Sequence, residues 1–169
     1  MGVLAGEEDR RRAFEVLVAP EVARLYRIAV AILDDPHEAE DAVQDTLLLA
    51  WRAWASLRRR EDLSAWLTRI CVHRCLRQRH VLRRWITSGG QGPPAPVPGV
   101  EPAELGERLV SVQHAMHALS PPQRAMIVLH LCDGYTVTEC AAVLRCRPGT
   151  ARSHLGRAMS KLRKELADV

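Results

Sequence analysis

Apolar residues recur near the start of the chain at helical spacing. Phe14, Leu17, Val18, Val22, Leu25, Ala29 and Ile32 step mostly by three and four, which marks one face of an α-helix. Pro20 lies inside this run and predicts a break or kink there, because proline lacks the N–H that the helix needs. Asp35-Pro36-His37-Glu38 reads as a helix start: an Asp N-cap, Pro at the first helical position and Glu three residues on. The helix it opens extends to about Trp54, with Ala39, Ala42, Val43, Thr46, Leu47, Ala50 and Trp54 on its buried stripe. A third helix is predicted over about 62–84, with Leu63, Trp66, Leu67, Ile70, Cys71 and Cys75 inward.

The pattern then stops. Ile86 to Pro102 holds five Pro and four Gly in 17 residues, a composition that supports neither helix nor strand and reads as a flexible linker. Beyond it helical spacing resumes. Leu105, Leu109, Val112, Met116 and Leu119 form an apolar stripe, and Ser120-Pro-Pro-Gln123 is a capping box that opens an apolar helix to about Cys132. Asp133-Gly134 ends it, and Thr136-Val-Thr-Glu139 is a second capping box, opening a short helix through Leu144. A tight turn at Arg145-Cys146-Arg147 precedes Pro148 at the start of a last helix reaching about Leu166. Ala151, Leu155, Met159, Leu162 and Leu166 would face inward on that helix. The expected fold is all-α: two small helical domains joined by a Pro/Gly-rich linker.

Composition changes this picture little until charge is divided along the chain. The 169 residues are 47% hydrophobic and carry a formal net charge of +4, so a packed core is affordable and wholesale disorder is excluded. Residues 1–57 are net −5, residues 58–85 net +7, residues 86–144 net −3 and residues 145–169 net +5. Two basic zones alternate with two acidic ones, as either two separate contacts with an anionic partner or two solvated helix faces would give. Apolar runs such as 28–33 are far short of a membrane span, and no secretory signal opens the chain, so a cytoplasmic protein is expected. The five cysteines are then expected as reduced thiols, and Cys71-Val-His73-Arg-Cys75 lacks the spacing of a zinc site.

Three surface stripes carry the candidate chemistry. Asp41, Gln44, Asp45, Leu48 and Arg52 share one face of the second helix, an apolar residue within a charged rim, as on a protein-docking surface or a solvated face. Arg69, His73, Arg77, His80 and Arg84 make a basic stripe about four turns long on the third helix, preceded by Arg58, Arg59 and Arg60. Guanidinium groups suit phosphates through their planar fork and fixed charge. The short helix, three-residue turn and basic last helix form a helix-turn-helix pattern. It would present Arg147, Thr150, Arg152, Ser153, His154, Arg157 and Lys161 to a DNA groove. No nucleophile–base pair, metal cluster or phosphate loop points to an enzyme, and none implies a cofactor.

These residues resemble a known family. Glu38-Ala-Glu-Asp41-Ala-Val-Gln-Asp45-Thr-Leu-Leu-Leu-Ala-Trp51-Arg52 looks like the segment of bacterial sigma factors that docks on the RNA polymerase clamp. Leu63-Ser-Ala-Trp66-Leu67-Thr-Arg69-Ile70 looks like the promoter −10 segment. Leu119-Ser-Pro-Pro-Gln-Arg, Gly134-Tyr-Thr-Val-Thr-Glu139 and Pro148-Gly-Thr150-Ala-Arg152-Ser153 resemble the −35-binding domain. Their order and the short length match the extracytoplasmic-function (ECF) type of the sigma-70 family. The resemblance implies a sigma2-like domain over 10–85, a linker over 86–102 and a sigma4-like domain over 103–166. It implies core polymerase on the Asp41–Arg52 stripe, the −10 element on residues 58–84 and the −35 element on the last helix. It further implies assisted promoter melting, a candidate anti-sigma partner and no catalysis. Where the family's turn usually has Leu-Gly-Ile this chain has Leu144-Arg145-Cys146, so an Arg145 held at positive φ would bear about 1 kcal/mol of strain. A one-component DNA-binding regulator is the rival reading, but it leaves the Arg-rich third helix and the acidic stripe without a role.

Overall fold

The computed structural model of the chain describes residues 2–56, 63–87 and 106–167, and every element among them is helical. Helix α1 (Gly2–Leu33) is the longest, and it runs through Pro20 without interruption. The expected break is therefore absent. Val16 is 67% exposed and Pro20 is on the surface, so the position without an N–H falls on the outer face of α1 while the opposite face stays packed. The turn after α1 places Asp34 at φ 63°, a region that Asp tolerates better than most side chains. Asp35 then caps helix α2 (Pro36–Ala53), its carboxylate accepting the His37 and Glu38 N–H groups at 2.9 and 3.0 Å. A single 3-10 turn, Trp54–Ser56, follows. Helix α3 (Leu63–Thr87) extends two residues into the stretch assigned to the linker; the remainder, 88–102, lies outside the described residues.

Helices α1, α2 and α3 pack against each other in pairs. Leu25, Ile28, Ile32 and Leu33 of α1 are at most 1% exposed. They meet Ala39, Ala42 and Ala50 of α2 and Leu67, Cys71, Val72 and Cys75 of α3 in one cluster. Full burial of such aliphatic side chains stabilises by about 1.5–3 kcal/mol each. Alanines on α2 let the helices approach closely. Thr46, fully buried there, stays satisfied by donating to the Ala42 carbonyl at 2.7 Å. Trp54 is buried and stacks edge-on against Phe14 at 5.2 Å, so it belongs to the core.

The second half contains α4 (Gly106–His117), α5 (Pro121–Ile127), α6 (Val137–Val143) and α7 (Pro148–Ala167). A five-residue π-type turn, Val128–Cys132, continues α5. Both capping boxes form. The Ser120 N–H donates to Gln123 Oε1 at 2.9 Å, and the Thr136 N–H donates to Glu139 Oε2 at 2.8 Å while Thr136 Oγ1 accepts the Glu139 N–H at 3.2 Å. Arg145 adopts φ 51°, so the expected strained turn is present. Of the apolar stripe in and after α4, Leu119 is buried, Met116 half-buried and Val112 47% exposed; the side chains of Leu105 and Leu109 lie outside the described residues. On α7 the buried positions are Ala151 and Ala158. Leu166 is 43% exposed, beyond the reach of the helices that cover the first turns.

The two halves are not independent in this arrangement. α1 rests on α5 and its π-type turn, and α3 touches α5 and α6. Met126, Val128, Leu129, Cys140, Ala141 and Val143 belong to the same apolar cluster as Leu25 and Leu67.

Candidate functional site

The first surface lies on α2. Its buried stripe turns Asp41, Gln44, Leu48 and Arg52 outward, and all four are exposed. Leu48 is 55% exposed, an apolar side chain with charged neighbours one turn away on either side. Asp45 is half-buried and pairs with Arg74 of α3, which ties the stripe to the third helix. Leu49 is 37% exposed next to Leu48 and enlarges the apolar centre. Neither Leu49 nor Arg74 was singled out from sequence. Leu49 falls between the inward and outward stripes, and Arg74 lies one residue off the basic row.

The second surface lies on α3. Arg69 and Arg77 are exposed on it. His73 between them is half-buried, and its Nε2–H donates to the Val143 carbonyl of α6 at 2.7 Å. Burial holds the His73 imidazole below its ordinary pKa, and the Arg145 and Arg69 charges act in the same direction against that hydrogen bond. A cavity of about 470 Å³ opens here, with Leu49, Ile70 and Leu76 as apolar wall and Arg74, Arg77 and Arg145 at the rim. Arg58, Arg59 and Arg60 lie outside the described residues, as do the side chains of His80 and Arg84, which belong to α3.

The third surface is the outer face of α7. The buried Ala151 and Ala158 fix which side points away. Arg147, Thr150, Arg152, Ser153, Arg157 and Lys161 are exposed and His154 half-buried. Pro148 opens the helix, so its first turn offers N–H groups near these side chains. Two of the polar groups are engaged: Ser153 Oγ donates to the Gly149 carbonyl at 3.0 Å, and Lys161 Nζ donates to the Ala118 carbonyl at 3.0 Å. The Thr, Arg and Ser residues around the first two turns are of the types that contact phosphates and base edges.

The thiols fit packing. Cys71, Cys75 and Cys140 are buried, and Cys71 lies 3.7 Å from the Leu25 carbonyl. Its hydrogen bond with Cys71, followed by burial, pushes Cys75 up, and burial pushes Cys140 up to about 11, then the Glu139 charge. These two therefore stay protonated near neutrality. Among the described residues no cluster of three or more His, Cys, Asp or Glu gathers as a metal site would require. Among them no helix is long and apolar enough to cross a membrane.

An exposed acidic helix face with a leucine at its centre and a helix-turn-helix with an outward basic face thus occur on one all-α chain. Comparison with known proteins assigns both halves. Residues 17–85 match the Sigma-70 region 2 family and residues 109–162 match Sigma-70 region 4. The ECF RNA polymerase sigma factor SigM of Mycobacterium tuberculosis is 34% identical over 161 residues, covering 92% of this chain and 78% of that protein. The ECF RNA polymerase sigma factor SigC of the same species is 32% identical over 167 residues, 98% of this chain and 88% of that one. Among solved structures, the sigma factor RpoE of Bartonella quintana, in complex with the anti-sigma factor NepR, superimposes with a TM-score of 0.77. It is 28% identical, with 92% of this chain and 98% of that chain covered. CnrH, solved with the cytosolic domain of CnrY, gives 0.66 at 27% identity over 94% and 90% of the two chains. The chain belongs to the ECF RNA polymerase sigma factors of the sigma-70 family. Such proteins are transcription initiation factors and not enzymes.

Proposed function

We propose that the chain docks on core RNA polymerase through Asp41, Gln44, Asp45, Leu48 and Arg52, and carries the enzyme to promoters. The observation that carries this reading is Leu48: a leucine more than half exposed at the centre of a charged stripe, on a helix whose opposite face buries Ala39, Ala42, Val43 and Ala50. The region of residues 10–85 then serves the −10 element through Arg58, Arg59, Arg60, Arg69, His73, Arg77, His80 and Arg84. The last helix serves the −35 element through Arg147, Thr150, Arg152, Ser153, His154, Arg157 and Lys161. Residues 86–102 are the linker between the two functions, and 103–166 the second domain.

The physics of melting follows from binding. Arg side chains neutralise phosphates in either strand state, whereas capture of an unstacked base favours only the opened duplex. Binding to the open form shifts the equilibrium toward it without any bond being made or broken by this chain. An anti-sigma protein is a natural partner, because the relatives solved as RpoE and CnrH were each bound to a partner protein. A chain that works on polymerase and DNA would act in the cytoplasm.

The test is reconstitution. Core polymerase with this chain, on a library of templates randomised across the promoter, should yield transcripts whose templates share two short elements. Transcripts with no enriched element, or none above core alone, would reject the reading.

A further inference from the structure

We propose that the cavity between α3 and the turn after α6 binds a small anionic amphiphile, a carboxylate or phosphate head on a short hydrocarbon body, with Arg77 and Arg145 holding the head.

The cavity measures about 470 Å³, within the range of about 300–1,000 Å³ that takes small-molecule ligands. Its wall is apolar and comes from three elements: Leu49 of α2, Ile70 and Leu76 of α3, and Leu144 at the end of α6. Ile70, Leu76 and Leu144 are half-buried, so each keeps apolar surface that a hydrocarbon can cover. The contact of His73 with the Val143 carbonyl at 2.7 Å holds the end of α6 against α3 and fixes the two sides of the space.

The rim carries more positive charge than its surroundings balance. Arg74 pairs with Asp45 of α2. Arg77 and Arg145 are exposed, and neither guanidinium meets a carboxylate among the described residues. Arg145 also stands at φ 51°, where glycine would rest without strain. Strain kept at a non-glycine position points to a use for its side chain. His73 senses the imbalance: burial first, then the Arg145 and Arg69 charges, hold its imidazole below the ordinary value. Around this ring stand Arg69, Arg74 and Arg77 of α3 and Arg145 after α6, with Asp45 already engaged by Arg74.

These features select the ligand. A carboxylate or phosphate accepts the planar fork of a guanidinium, and two forks at the rim favour a head with several oxygens. A bare anion would leave the apolar wall wet, and a neutral hydrocarbon would leave both guanidiniums unpaired. A space of this size takes a short chain with its head at the mouth. Arg77 and His73 also belong to the proposed −10 surface, so binding is best read without DNA or polymerase.

The experiment is calorimetric titration of the full-length chain with octanoate and with octyl phosphate, below micelle formation, beside octanol and inorganic phosphate. Octanoate or octyl phosphate should bind as one molecule per chain, and the tighter of the two names the head group. Shortening octanoate to hexanoate should weaken binding about threefold to fourfold per methylene removed. The double variant Arg77→Gln/Arg145→Gly should weaken it about threefold to twentyfold, as two exposed ion pairs allow. Glycine relieves the turn at position 145, so lost binding there is not lost folding, and circular dichroism verifies helix content. Arg163→Gln, which removes one charge outside the cavity wall, should bind as the wild type does. By NMR, saturating octanoate should raise the pH at which His73 titrates, because a negative charge beside the ring favours the imidazolium, and octanol should not. Failure of both amphiphiles to bind, as when another segment of this chain or a second copy fills the cavity, would overturn the proposal. So would equal binding of octanol or of inorganic phosphate, a double variant that binds as tightly as the wild type, an equal loss in Arg163→Gln, or an unmoved His73.

Discussion

Leu48 is the residue on which the docking proposal can be weighed quantitatively. Its side chain is 55% exposed, so roughly half of the full transfer energy of a leucine remains available to a partner. Full burial is worth about 1.5–3 kcal/mol, so docking should gain about 1 kcal/mol from Leu48. Leu48→Ala should then weaken core polymerase binding about fivefold, using about 1.4 kcal/mol per factor of ten. Leu48→Asp forfeits the same contact and also buries a carboxylate without a partner, near Asp45 and Asp41. That adds about 1–3 kcal/mol, for a total loss of roughly 30-fold to 1,000-fold. Both variants should fold normally, because an exposed position away from caps and cores usually changes stability by less than about 0.5 kcal/mol. The assay is a titration of labelled chain with core polymerase, paired with thermal melting and with binding of the isolated −35 duplex. Unchanged core affinity for Leu48→Asp would refute the reasoning. A matched loss in melting temperature and −35 binding would attribute the defect to the fold instead.

Three further outcomes follow from single groups. Thr136→Ala removes the capping hydrogen bond to the Glu139 N–H at 3.2 Å and should cost about 1 kcal/mol, read as a lower melting temperature with helix content retained. Arg145→Gly relieves the φ 51° strain at the turn of the helix-turn-helix and should raise stability by about 0.5–1 kcal/mol in a denaturant titration. His73 gives a pH dependence to the packing of α6 on α3. Its pKa is lowered chiefly by burial, assisted by the Arg145 and Arg69 charges, so the packed form binds fewer protons than a separated one. Its contribution to packing is full above the ordinary histidine value of about 6.5 and is lost as pH falls through the depressed value. Solution X-ray scattering between about pH 8 and about pH 5 should show expansion at the acid end that is blunted in His73→Gln.

Much of the fold was legible because its signals are local. Asp35, Ser120-Pro-Pro-Gln123 and Thr136–Glu139 cap helices through contacts within three residues, and each cap is present. The positive φ of Arg145 was suggested only by the resemblance, whose turn usually has glycine there, and Arg145 does adopt it. Periodicity also identified Leu25, Ile32, Leu67 and Cys71 as core, and all are buried. It failed where a second half of the chain decides. Val72 stood on no predicted inner stripe, yet it is fully buried in the cluster that both halves share. His73, read as part of the basic row of α3, also meets the Val143 carbonyl of α6, a contact that spacing within one helix does not show. Arg24 and Arg124 find partners 109 and 92 residues away, a distance at which sequence spacing carries no geometric information. Pro20 misled for a different reason: its cost depends on where the missing N–H falls, and Val16 and Pro20 are both on the exposed face of α1.

The central claim is that this chain makes core polymerase open a promoter. The most direct measurement is permanganate reactivity of thymines around the −10 element on a supercoiled template recovered from the randomised library. With core polymerase and this chain together, the account predicts reactive, unpaired thymines there, and none with either component alone. A chain that binds the duplex but leaves every thymine protected in the presence of core would contradict it.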